Sequence, residues 1–75
     1  MNYITFNDVI VAVKDIVDVE RPNTEPRDTI IINLSSGRSI ENKYPSKEAA
    51  DEIYAKFEDL FKPADFNYVT TGNAQ

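Results

Sequence analysis

Thr29-Ile30-Ile31-Ile32-Asn33-Leu34-Ser35-Ser36-Gly37-Arg38-Ser39-Ile40 writes a strand, a tight turn and the start of a returning strand in one run. Side chains alternate across an extended chain, so Ile30, Ile32 and Leu34 share one face and Thr29, Ile31 and Asn33 the other. The β-branched residues suit a pleated, half-buried surface. Gly37 can take the positive φ that a tight hairpin turn demands. The returning segment, Ser39 to Tyr44, offers Ile40 and Tyr44 to the inside and is otherwise polar. That is the composition of an edge strand, or of one with a wet face.

Upstream, Tyr3-Ile4-Thr5-Phe6 is a short β-prone run, Asn7-Asp8 a turn pair, and Val9-Ile10-Val11-Ala12-Val13 a second run. Lys14-Asp15 interrupts it as a tight turn or a bulge. Ile16-Val17-Asp18-Val19-Glu20 then resumes, with Val17 and Val19 expected on the buried face and Asp18 and Glu20 outside. Arg21 to Arg27 holds Pro22, Asn23 and Pro26 among charges and is the clearest loop. It reads as a hairpin connection or as a contact loop.

Downstream the period changes. Ser46 suits a helix N-cap, and Glu48 stands in the first turn, where the helix dipole favours negative charge. Ala49, Ala50, Ile53, Tyr54, Phe57, Leu60 and Phe61 follow at helical spacing, with Glu48, Asp51, Glu52, Glu58 and Asp59 opposite. Pro63 cannot continue a helix, which predicts one from Lys47 to Lys62. In the tail, residues 63–75, Phe66, Tyr68 and Thr70 alternate as a short added strand would, a frayed end being the alternative.

The expected fold is therefore α+β: one domain over residues 1–62, a small antiparallel sheet of four to five strands with one C-terminal amphipathic helix packed on one face. Ile53, Phe57 and Leu60 should meet Ile30, Ile32, Leu34, Val17 and Val19. One helix covers one face only. Ile10, Ala12 and Ile31 are expected on the other, leaving it partly bare and apolar.

A chain of 75 residues has room for one domain and buries only about 60% of its unfolded surface, so its stability is marginal without a supplement. It has no cysteine and no histidine, which removes disulfides and the usual zinc ligands and leaves an efficient core or self-association. Met1-Asn2-Tyr3-Ile4-Thr5-Phe6 lacks the basic start and apolar stretch of a signal peptide. The longest apolar run, Val9 to Val13, is far short of the roughly 18 residues of a membrane span. A cytoplasmic location without membrane contact is expected, and Asn33-Leu34-Ser35 is then a chance sequon. The net charge is −5, without the basic footprint that binds nucleic acid directly.

Most catalytic constellations fail on residue types. No Ser-His-acid triad or thiolate nucleophile can be built without histidine and cysteine. Gly37 and Gly72 stand too far apart for a phosphate-cradling loop. Ser46 beside Lys47 is explained by capping. Asp15, Asp18 and Glu20 lack the ligand count and central glycine of a calcium loop. The chain is expected to be no enzyme, with no catalytic residue, no metal, no cofactor and no small-molecule substrate.

The order of features resembles the FlbD family of short proteins encoded in flagellar operons, across roughly residues 9–61. Asp28-Thr29-Ile30-Ile31-Ile32-Asn33-Leu34-Ser35-Ser36-Gly37 is similar to that family's hairpin, and Pro45-Ser46-Lys47-Glu48-Ala49-Ala50 to its helix entry. Val13-Lys14 stands where the family has Asn-Pro, and the loop from Arg21 to Arg27 is longer. Small proteins of phages and mobile elements share the layout. The resemblance implies a strand–hairpin–helix fold and a flagellar role, and carries no catalytic residue.

Two functions compete. One is a small regulatory or accessory interaction module that binds a protein partner, or its own copy, through the uncovered sheet face or the Arg21–Arg27 loop. Its candidate contact residues are Ile31, Ile10, Tyr3, Tyr44 and Arg27, aromatic residues being enriched at interfaces. The other is an acidic, phage-type inhibitor whose helix face, Glu48, Asp51, Glu52, Glu58 and Asp59, stands in for nucleic-acid phosphates.

Overall fold

The computed structural model of the chain describes residues 2–62; the added strand considered for residues 63–75 lies outside them. The fold is α+β, with strands β1 (Tyr3–Phe6), β2 (Val9–Ala12), β3 (Ile16–Glu20), β4 (Thr29–Leu34) and β5 (Ser39–Lys43), then helix α1 (Lys47–Phe61). The strands form two antiparallel sheets, β1-β2 and β3-β4-β5, where a single sheet of four to five strands was expected. The reason lies at Val13–Asp15, which closes into a 3-10 turn and redirects the chain between β2 and β3. The Val13 N–H donates to the Asn2 carbonyl at 3.0 Å, which extends the β1-β2 ladder to the start of that turn, and the two sheets remain tied by the Asn7 side-chain amide, which donates to the Glu41 carbonyl at 2.9 Å.

Local chemistry explains the turns. Asn7 and Asp8, at φ 51° and 64°, make the two-residue turn that sets Phe6 opposite Val9; both residue types tolerate the left-handed region. Gly37 takes φ 92° and its N–H closes on the Leu34 carbonyl at 2.9 Å. Ser46 caps α1, its Oγ accepting from the Ala49 N–H at 3.1 Å. The helix stops at Lys62, φ 46°, since the residue before a proline is driven out of the helical region.

Phe6, Val11, Ile30, Ile32, Ile40, Ala50 and Phe57 form one buried cluster. Ile30, Ile32 and Ala50 have no exposed surface, and the rings of Phe6 and Phe57 meet edge to face with centroids 5.9 Å apart. Two residues expected in this core lie outside it: Val17 is 63% exposed and Leu60 is 42% exposed. For Val17 the cause is a bulge. Ile16 faces Leu34 and Asp18 faces Asn33, so Val17 is an extra residue and the in–out alternation restarts after it.

The loop between β3 and β4 is fastened to the helix. Arg21 forms an ion pair with Asp51. It also donates to the Arg27 carbonyl at 2.8 Å and to the Lys47 carbonyl at 3.2 Å, and it lies over the Tyr54 ring. The Arg21 hydrogen bond, joined by one from Lys47, holds the Asp51 carboxyl below its ordinary value of 3.8. A carboxylate with a depressed folded value contributes stability above its unfolded value and loses it as pH falls through the folded one.

Two outcomes follow. Ile32→Ala removes a fully buried side chain and should cost about 2–5 kcal/mol, a large share of a small domain's stability. Leu60→Ala should cost less than about 1 kcal/mol by urea unfolding; equal costs would refute the burial pattern. Wild type should melt above Asp51→Asn at pH 7, and the gap should close as pH is lowered below 3.8. A gap unchanged down to pH 2.5 would mean that the ion pair adds nothing.

Candidate protein-binding groove

The apolar stripe of α1 is wider than the core it serves. At 100° per residue, Ala50 and Phe57 form a central row, with Ile53 and Leu60 on one flank and Tyr54 and Phe61 on the other. The central row is buried, the flanks only in part. Each flank therefore opens on a groove.

The larger groove, about 340 Å³, runs between β3 and the C-terminal half of α1, with Ile16, Val17 and Val19 on one wall and Tyr54, Phe57 and Phe61 on the other. Asp18 and Glu58 line it as well, and among the described residues no basic residue does. Among the described residues β3 pairs on one side only, with β4, so the groove lies beside an unpaired strand edge. The smaller groove, about 250 Å³, lies across the helix between β1 and the Ile53–Leu60 flank.

The opposite face of the three-stranded sheet is polar. Asn33 donates its side-chain amide to both Asp18 and Glu20 and accepts from the Ser39 hydroxyl. Glu20 and Glu41 flank Ile31 in the ladder, so the isoleucine is half-buried in a polar surround rather than the centre of an apolar patch. A residue facing outward from a central strand is covered by its cross-strand neighbours, whose long side chains fold over it.

The sequence-derived contact residues scatter. Tyr3 and Ile10 are 58% and 73% exposed and come together on the outer face of the β1-β2 hairpin, diagonal to each other in the ladder. Ile31 belongs to the other sheet. Tyr44 packs against the core cluster, and burial pushes its phenol above 10.0, partly offset by a hydrogen bond with the Asn42 side chain. Arg27, at φ 60°, is half-buried. On the acidic helix face, Glu48, Glu52, Glu58 and Asp59 are exposed, whereas Asp51 is engaged by Arg21 and Lys47.

Val17 is the groove residue that sequence reasoning assigned to the core; Phe61 was placed on the apolar stripe of the helix without a partner. The signal for Phe61 was present in the helix stripe, whose two flanks exceed what one buried row can absorb. The bulge at Val17 left none, since Ile16-Val17-Asp18-Val19-Glu20 alternates acceptably either way. Among the described residues no group of three or more acidic, histidine or cysteine side chains is placed to hold a metal ion, and no helix is long and apolar enough to cross a membrane.

Comparison with protein-family models, with curated proteins and with solved structures finds no match to this chain.

Proposed function

We propose that this chain is a small, non-enzymatic protein-interaction module whose binding surface is the groove between β3 and the C-terminal half of α1, with the Ala50–Phe57 row of the helix packed over the inner face of the three-stranded sheet. What supports the reading is the groove itself: exposed Val17 and Phe61, 63% and 39% accessible, line opposite walls of an apolar cleft beside a strand edge that is unpaired among the described residues. A marginal domain gains from covering such surface. The polar network around Asn33 argues against the opposite sheet face as the contact surface.

The test is affinity capture from the source organism by wild type, by Val17→Asp and by the triple variant Glu48→Lys, Glu52→Lys, Asp59→Lys, quantified by mass spectrometry. Val17 is exposed, so Val17→Asp should leave the melting temperature within a few degrees. It should reduce recovery of the partner by about 30-fold or more, as loss of a hot spot of at least 2 kcal/mol would. Loss with the lysine variant alone would transfer the function to phosphate mimicry by the acidic helix face; recovery unchanged by either would remove both.

A further inference from the structure

We propose that the open edge of β3 takes an extended segment of a protein partner by strand addition, and that this segment alternates apolar with lysine or arginine residues. The proposal rests on the protein-binding role above and names the partner's chemistry.

Three observations converge on it. Among the described residues β3 pairs with β4 alone, and an unpaired edge is a template for another strand. The two sides of that edge differ in character. Val19 faces Ile32 on the core side, beside the apolar wall of Tyr54, Phe57 and Phe61. Asp18 and Glu20 stand on the other side, gathered by one Asn33 amide. An added strand also alternates with period two, so its apolar residues would enter the groove while its intervening residues lie along the two carboxylates. The third observation is sign. Glu58 lines the groove and, among the described residues, no basic residue does; Asp18 and Glu20 flank the edge on its other side, and the whole chain carries −5, which favours a cationic segment in both encounter and final fit.

The same charges argue against a second copy as occupant. Two β3 edges brought together would set the acids of one copy against those of the other, and like charges opposed across a ladder are destabilising. The Val17 bulge distorts both edges further.

The test uses the full chain, ¹⁵N-labelled, with the acetylated and amidated peptide Lys-Val-Lys-Leu-Lys-Val-Lys. Controls are its glutamate counterpart and a version N-methylated at alternate residues on the pairing edge. Shifts confined to Ile16–Glu20 and the Tyr54–Phe61 half of α1, about tenfold slower exchange of β3 amides and binding that weakens several-fold from 50 to 300 mM salt support the proposal. So does weaker binding to Asp18→Asn with Glu20→Gln, where each variant keeps an oxygen for Asn33. Equal binding of the N-methylated peptide would overturn it, because the backbone would then take no part. Edge-facing β3 amides already protected in the peptide-free chain would overturn it as well, the edge being filled by the chain or a copy of it. If neither peptide binds while Val17→Asp still loses its captured partner, strand addition fails and the interaction module stands.

Discussion

Everything in this domain hangs on β4. It is the one described strand paired on both sides, with β3 and β5, and its Ile30 and Ile32 are wholly buried. Two isoleucines in alternate positions fix the register of both neighbours, because a slip by one residue would turn them outward and bring Ile31 and Asn33 into the core. Ile40 and Val19 stand opposite Ile32, while Phe6 and Phe57 complete the cluster from the hairpin and the helix. A chain without disulfides has little else to hold its ends together.

The other face of β4 shows how polarity is managed on a sheet that a single helix cannot enclose. Asn33 is the pivot. Its amide nitrogen serves Asp18 and Glu20, and its oxygen takes the Ser39 hydroxyl, so one side chain links all three strands. Acids left near each other on a sheet repel; shared donation from one amide offsets part of that repulsion. The result is a wet, anionic surface where alternation alone suggested an apolar one.

The elements were legible in the sequence because local chemistry and tertiary need agree in them. The strand of Thr29–Leu34, the turn at Gly37 and the helix entry at Ser46 stand where period, φ and capping require. What was not legible was the relation between elements. Lys14-Asp15 reads as a tight turn or a bulge, and the structure has a 3-10 turn over Val13–Asp15 there, between two sheets rather than within one. The groove was hidden for the same reason. Phe61 and Leu60 have the composition of core residues, yet both are exposed, because the buried row of Ala50 and Phe57 already fills the helix's share of the core.

The order of pairing has a kinetic side. Each described strand pairs only with a neighbour in sequence: β1 with β2, β3 with β4, β4 with β5. Closing a short loop costs little chain entropy, and proteins built from near-sequence contacts fold quickly. The tight turns at Asn7-Asp8 and Gly37 would serve as early nuclei, each closing its ladder before the helix docks. Rapid closure shortens the time for which the isoleucines of β4 are open to other chains. A small domain can then leave a strand edge open, as that of β3 is among the described residues, without leaving its aggregation-prone centre exposed on the way there.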